Sequence, residues 1–227
     1  MKLKLNLGIV AIVSLLIACG PQGKKVEATD AKATPAESPA NQTDINSFAV
    51  DNGTINWTGS KLVGTSSHNG TIDINSGELK VMGDKIVGGT FTVDMASINN
   101  LDLEAGKGKE KLEGHLKSPD FFDVAQFPTA TFELTEATPV SGQEDITHNV
   151  TGNMTIRGIS KSITIPANIA IMDNKLTAVT PSFKIDRTQW GVQYRSGSIA
   201  DLAKDKVIND EIALVLNIEA ASTTPLQ

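Results

Sequence analysis

The chain has 227 residues, a net charge of −6 and an isoelectric point near 5.1. Its basic side chains are scattered, so they offer no positive field to a phosphate backbone, and we expect no nucleic-acid partner. Aromatic residues make up 4% of the sequence, which disfavours base-stacking or carbohydrate platforms and suits an aliphatic interior.

Residues 1–18 predict a lipoprotein signal peptide. Lys2 and Lys4 precede an apolar stretch at 7–18, which has the length of a signal-peptide core and is too short to span a bilayer. The sequence LIAC at 16–19 resembles the lipobox of bacterial lipoproteins, whose cysteine receives a diacylglyceryl group and, after cleavage, an acylated amino terminus. A secreted protein with a chance cysteine and an uncleaved anchor are the alternatives.

The position of Cys19, the only cysteine, argues against chance and also excludes an intramolecular disulfide. Several acyl chains would hold the protein on a membrane almost permanently, at roughly 0.8 kcal/mol per buried methylene. Gly20 after the cysteine is compatible with onward transport to an outer membrane. We therefore expect a lipid-anchored protein of the bacterial envelope, on the outer membrane and facing the periplasm.

Residues 19–43 predict a lipidated N-terminus followed by a flexible tether. They are rich in Ala, Pro, Lys, Thr, Glu and Gln and contain almost no large apolar side chain to bury. A tether of about 24 residues would reach at most roughly 80 Å when fully stretched. Residues 44–221 have the size of one domain, and 222–227 are expected to form a disordered tail.

Alternation of apolar and polar side chains recurs along the domain and predicts strands with one wet face. Phe91, Val93 and Met95 are one example, since polar residues lie between and beside them. Short spacings with turn signals favour hairpins, and therefore antiparallel pairing. The pattern predicts an all-β sandwich or closed barrel, with short helices within 104–117 and at 198–204.

Seven short motifs extend through the domain. They are WTGSK at 57–61, SHNG at 67–70, GTFTVDMASI at 89–98, LEGHLKSPDFFD at 112–123, FPTATF at 127–132, VTGNMTIRGISK at 150–161 and FKIDRTQWG at 183–191. In sequence and order the chain resembles the YceI-like family of polyisoprenoid-binding proteins over roughly residues 48–220. The resemblance implies a lipocalin-like, extended antiparallel β-barrel of about eight strands with one or two short helices.

The resemblance also implies a long tunnel for an isoprenoid chain. The expected ligand is an isoprenoid quinone or a polyprenyl lipid, and no cofactor is required. Familiar members are soluble secreted proteins, so the lipobox and tether depart from the family pattern and put a freely diffusing carrier in doubt. The alternative function is a filled barrel that acts as an interaction or assembly subunit of a membrane complex. A homodimer is compatible with both functions.

The side chains on the apolar, inward-facing side of each predicted strand are expected to form the wall of the cavity. An antiparallel barrel of about eight strands either fills its interior or holds one slender ligand, so each predicted wall residue could equally be plain core. The candidates are Trp57, Phe91, Val93, Met95, Phe132, Met154, Ile156, Ile165, Phe183, Ile185, Leu214 and Leu216.

Two polar residues are predicted at the mouth of the barrel. Arg187 falls on the apolar, inward-facing side of its strand. Its guanidinium must therefore be paired or must contact water at the mouth of the barrel. Either it pairs with Asp186, Asp94 or Asp123 as structure, or it faces the polar head of a ligand. His115 has the same two alternatives. We expect Arg187 and His115 to lie at or near the mouth and to help orient the head group.

The sequence favours a binding protein and not an enzyme. Cys19 is assigned to lipidation, no Gly-x-Ser-x-Gly elbow occurs, and His68, His115 and His148 lack the short spacing of metal ligands. The segment at 106–111 lacks the spacing and the following Ser or Thr of a phosphate loop. A carboxylate pair assembled only in three dimensions stays open.

Overall fold

The structure, a computed structural model, describes residues 21–34, 45–198 and 202–223. Its strands are β1 Lys24–Lys25, β2 Thr29–Asp30, β3 Ile45–Ser60, β4 Ser67–Met82, β5 Lys85–Asn100, β6 Thr129–Pro139, β7 His148–Ile156, β8 Ile159–Met172, β9 Lys175–Val179, β10 Phe183–Asp186 and β11 Glu211–Ser222. The α-helix α1 spans Lys109–Lys117, and 3₁₀ turns span Arg187–Trp190 and Lys204–Lys206.

The strands form a closed antiparallel barrel. Neighbouring strands pair in succession from β3 to β8, and β11 and β10 continue the sheet beyond β3. β9 pairs with both β8 and β11, which closes the sheet into an eight-stranded barrel. Residues on alternate positions of a barrel strand point inward, as the period-two pattern predicts. The predicted lipocalin-like antiparallel barrel is confirmed.

α1 lies within the predicted helical segment at 104–117. It begins after Gly108, whose φ of 115° is a conformation that favours glycine. Leu112 and Leu116, one turn apart, line the barrel interior. Of the second predicted helix, at 198–204, residues 199–201 lie outside the described residues, and a 3₁₀ turn begins at its last position.

The barrel has a closed end and an open end. Apolar side chains fill the interior at the closed end, where the β4–β5 and β8–β9 turns lie. They are Phe48, Leu79, Val81, Ile86, Leu134, Leu176 and Ala220. The open end carries α1, the loop between β3 and β4, and the chain that follows β10, and side chains do not fill its interior.

The structure corrects the expected tether at residues 21–34. β1 pairs in parallel with β10, and β2 pairs antiparallel with β8, so this segment fills the seam where the described sheet leaves β8 and β10 unpaired with each other. The side chain of Val26 is 9% exposed and belongs to one core cluster with Ile163 and Phe183. Its N–H donates to the Lys184 carbonyl at 2.8 Å.

Asn153 fixes the far end of the same segment. Its buried side-chain amide donates to the carbonyl oxygen of Lys32 at 2.7 Å and accepts the Lys32 N–H at 2.9 Å. Composition predicts a flexible tether, but one valine and hydrogen bonds to two strand edges stabilise this otherwise polar segment. Residues 19–20 and 35–43 of the predicted tether lie outside the described residues.

The described structure continues beyond the predicted C-terminal boundary of the domain. The expected tail at 222–227 begins inside β11, and the Thr223 N–H donates to the Ser47 carbonyl at 2.8 Å. The signal peptide and residues 224–227 lie outside the described residues. In the ranges that the structure describes, no helix has the length and apolar character needed to cross a bilayer.

We predict that Val26→Asp lowers the free energy of unfolding by about 2–3 kcal/mol, because a buried valine is lost and a carboxylate cannot stay buried without a partner. Trypsin should also cut the released segment, at Lys24 or Lys32, faster than in the wild type. Urea denaturation and limited proteolysis measure both effects. Ala31→Asp, which adds the same charge at an exposed position of the segment, is the control. Equal stabilities of the two variants would contradict a packed segment.

Candidate functional site

A cavity of about 400 Å³ runs through the barrel from its open end. Its lining begins at the exposed residues Lys61, Arg195 and Lys206 and reaches Ala220 in the cluster that fills the closed end. Ala220 pairs with Val50, and from Val50 to Ser60 β3 extends about 33 Å at about 3.3 Å per residue, which is about 25 Å along the axis of a barrel whose strands tilt by about 40°. This volume over such a length describes a narrow tunnel, and it is within the range of ligand sites in proteins.

The structure brings the predicted wall residues together around this tunnel, with one exception. Those that line it are Trp57, Phe91, Val93, Met95, Phe132, Met154, Ile156, Ile165, Ile185, Leu214 and Leu216. Phe183 is 0% exposed and does not line the tunnel, because it packs at the seam in one cluster with Val26 and Trp190. Contact of the other residues with a ligand stays a prediction.

Two glycines let large aromatic rings lie along the wall. A β-carbon at Gly152 would lie 2.6 Å from Cε1 of Phe132, and one at Gly70 would lie 2.6 Å from Cζ2 of Trp57. Each ring therefore packs over a glycine of the neighbouring strand, where any other residue would overlap it. The rings cover the wall instead of reaching across the tunnel, which keeps the tunnel continuous.

Arg187 lines the upper part of the tunnel, but protein atoms hold its guanidinium. The side chain is 2% exposed and donates to three backbone carbonyls, among them Val192 O at 2.7 Å, and to Asp210 Oδ1 at 3.1 Å. Burial lowers the pKa of Arg187, while the carboxylates of Asp210 and Asp186 act in the opposite direction. The guanidinium stays charged. Its hydrogen bonds join the chain after β10 to the chain before β11.

The ion-pair partner of Arg187 differs from the predicted ones. Asp186 accepts the Thr188 N–H at 3.0 Å and caps the 3₁₀ turn, so it contributes charge without bonding the guanidinium. Asp94 accepts an N–H of its own strand, and Asp123 lies in the loop after α1. No local pattern could indicate Asp210, because the antiparallel pairing of β10 with β11, in which Asp186 lies opposite Glu211, brings it to Arg187.

His115 lies outside the tunnel lining. Its Nε2 is 3.0 Å from Asp120 Oδ2, and its ring makes edge contacts with Phe121 and Tyr194 at centroid distances of 5.0 and 4.7 Å. Phe121 itself lines the tunnel, so His115 lies one layer behind the wall. His115 therefore lies near the open end but behind the wall of the tunnel, and a part in orienting a head group stays a prediction.

His68 does line the tunnel, close to its entrance. Its Nδ1 lies 2.8 Å from Asp102 Oδ2, and the fully buried Asn100 donates to Asp102 Oδ1 at 2.6 Å. Burial raises the pKa of Asp102, but hydrogen bonds from the Asn69 N–H, His68 and Asn100 outweigh it and lower the pKa below its ordinary value of 3.8. Asp102 is therefore ionised at neutral pH and holds the His68 ring beside the entrance.

Two buried polar atoms near the entrance have no hydrogen-bond partner among the described residues. They are Trp57 Nε1 and Ser60 Oγ, whose side chains are 8% and 7% exposed and line the tunnel. Buried donors in proteins are normally hydrogen-bonded. An acceptor oxygen of a ligand in the tunnel near the open end could compensate such a group. The parity pattern gave no signal for Ser60, Lys61, Arg195 or Lys206.

We predict that Arg187→Lys lowers the free energy of unfolding by about 2–3 kcal/mol. The single ammonium group of lysine cannot donate hydrogen bonds to all the carbonyl and carboxylate acceptors that surround the guanidinium. Denaturant titration measures the loss. Arg195→Lys is the control, since Arg195 is exposed and lies over the Tyr194 ring at 5.3 Å. Unchanged stability in Arg187→Lys would mean that the guanidinium has no structural role.

Bacterial relatives match part of the chain. A UPF0312 protein of Pseudomonas aeruginosa is 46% identical over 90 residues, which cover 36% of this chain and 44% of the relative. A UPF0312 protein of Enterobacter sp. is 33% identical over 90 residues, with the same coverage of both chains. The chain thus matches less than half the length of these curated relatives.

Solved structures show the same fold. Burkholderia cenocepacia BcnA superimposes with a TM-score of 0.55 at 22% identity, over 74% of this chain and 96% of BcnA. A polyisoprenoid binding domain from Saccharophagus degradans superimposes with a TM-score of 0.55 at 13% identity, over 77% of this chain and 98% of that domain.

The comparison with protein families covers the barrel almost completely. The model of the YceI-like domain matches residues 47–220, which include all strands from β4 to β10 and nearly all of β3 and β11. The motifs at 57–191 all fall inside this range. The chain belongs to the YceI-like domain family.

Proposed function

We propose that the protein binds a long-chain isoprenoid or a similar lipid in the barrel interior and catalyses no reaction on it. The observation that carries the proposal is the narrow tunnel with an almost wholly apolar wall. The polyisoprenoid binding domain of S. degradans, which shares the fold, supports the choice of ligand. A barrel filled with side chains, as an assembly subunit would have, leaves no such tunnel.

The energetics suit exchange with a membrane. Burial of one five-carbon isoprene unit contributes roughly 3–4 kcal/mol relative to water, at about 0.8 kcal/mol per methylene-sized group. The bilayer is as apolar as the tunnel, so transfer between the two is close to balanced. This balance fits reversible storage or shuttling of the lipid better than it fits tight binding of the lipid by a receptor.

The polar end of the ligand, from a quinone or a polyprenyl lipid, belongs at the open end. The deep wall is apolar, whereas Trp57 Nε1, Ser60 Oγ and the Lys61 ammonium supply donors nearer the entrance. Arg187 is less suited to this role, because acceptors of the protein already use its donors.

Lipidation of Cys19 and location in the bacterial envelope, at the periplasmic face of the outer membrane, are part of the proposal. The support is the lipobox sequence at 16–19. Residues 21–34 pack on the barrel, so the free link from Cys19 to Pro21 can reach only about 7 Å, instead of the 80 Å of a free tether. The anchor would therefore hold the barrel directly against the membrane.

We predict that Ala178→Trp lowers lipid occupancy at least roughly five-fold, because Ala178 lines the tunnel and an indole there occupies the space of the chain. Val179→Trp is the matched control, since Val179 is the next residue of β9 and is 44% exposed on the outer face. Organic extraction and mass spectrometry of protein purified from its own envelope measure the lipid per chain. Wild-type protein without a long-chain lipid would favour the filled-barrel assembly subunit.

We predict that Cys19→Ser abolishes incorporation of a palmitate analogue, because the thiol is the only site for the diacylglyceryl group. Labelling in cells, followed by gel fluorescence, measures this. Lys24→Ala, an exposed change in the same region, should label like the wild type. Labelling that persists in Cys19→Ser would refute the anchor while leaving the lipid-binding proposal intact.

A further inference from the structure

We propose that the open end of the barrel is a docking surface for an anionic lipid bilayer. Lys61, Arg195 and Lys206 line the tunnel entrance, and Lys204 begins the 3₁₀ turn that ends at Lys206; these four cations are here called the basic rim. All four are exposed, and none forms an ion pair within the described ranges. Asp205 lies between two of them in the sequence, and Asp201, which precedes Lys204, lies outside the described residues. A chain with a net charge of −6 thus presents local positive charge at the entrance.

Several carboxylates near this end already have partners within the protein. Asp210 pairs with Arg187 at 3.1 Å, and Asp102 lies 2.8 Å from His68. Glu113 of α1 pairs with Lys109 on the same helix. These three carboxylates are therefore less available to the cations of the basic rim.

Two large apolar side chains project beside the basic rim, and we call them the apolar tip: Leu62 and Val63, which are 52% and 51% exposed. The Lys61 N–H donates to the Ser66 carbonyl at 3.0 Å and closes the β3–β4 loop, so the tip lies at its turn. The Leu62 N–H donates to the Val207 carbonyl at 3.0 Å, which fixes the tip against the 3₁₀ turn that carries two rim lysines.

Exposed apolar side chains flanked by cations are what an anionic membrane surface binds. Lipid phosphates attract the cations within a Debye length, and the boundary of the acyl chains takes up leucine and valine. Leu101 and Ile159, which are also exposed, lie at the same end of the barrel and enlarge the apolar area. Docking in this orientation places the tunnel entrance on the bilayer.

Tryptophan probes at the two ends test the inference. Leu62→Trp places an indole at the apolar tip, and Met172→Trp places one at the closed end, where Met172 is 74% exposed. Each full-length variant is dialysed from detergent into phosphatidylcholine vesicles with about 30 mol% phosphatidylglycerol, whose acyl chains are brominated near the headgroup. The wild-type signal, from Trp57 and Trp190, is subtracted.

We expect bromine to quench the Leu62→Trp signal roughly two-fold or more and to leave the Met172→Trp signal unchanged. Charge reversal of Lys61, Arg195 and Lys206 to Glu, added to Leu62→Trp, should abolish the quenching. Equal quenching at both ends, no quenching at Leu62→Trp, or quenching that survives charge reversal would overturn the proposal. Near-UV circular dichroism confirms that each variant is folded. The readout does not require lipid in the tunnel, so lipid extraction and docking can fail independently.

Discussion

Closure of the seam between β8 and β10 is the constraint on which the tunnel depends. β9 closes the barrel near the closed end by pairing with β8 and β11. Nearer the open end, the N-terminal segment performs the same task, with two-residue strands on either edge and Val26 between them. Without it, Ile163 and Phe183 would face water at a gap in the wall. An apolar tunnel needs a continuous wall, so the segment belongs to the barrel.

The unequal filling of the two ends explains why the barrel holds a tunnel and not a solid core. Large side chains from several strands meet near the closed end and form the bottom of the tunnel. Nearer the open end, the rings of Trp57 and Phe132 lie against glycines of neighbouring strands and leave space along the barrel axis. Large residues at Gly70 or Gly152 would push these rings inward. The tunnel is therefore a consequence of where the sequence places glycine as well as where it places apolar residues.

The sequence predicts the barrel and most of its wall, because period-two alternation is a local property that pairing preserves. It does not predict the polar end. Arg187 meets Asp210 and three carbonyls because the pairing of β10 with β11 joins two segments that are distant in the sequence. The alternation of apolar and polar residues predicts correctly that Arg187 points inward, but it does not indicate which groups accept hydrogen bonds from the guanidinium. The tether fails as a prediction for another reason: composition averages over a segment, whereas Val26 and Asn153 act at single positions.

Membrane attachment and barrel integrity are linked through the same short segment. Under the proposed lipidation, the chain enters the barrel wall at β1, five residues after Cys19, so a force on the anchor acts on β1 and on Val26 before it acts on the rest of the domain. A free tether would have isolated the barrel from the membrane and left its orientation random. Here the seam closed by β1 and Val26 and the proposed basic rim lie on the half of the barrel that contains the tunnel entrance. The geometry brings together entrance and positive charge, which is the arrangement that exchange of an apolar chain with a bilayer requires.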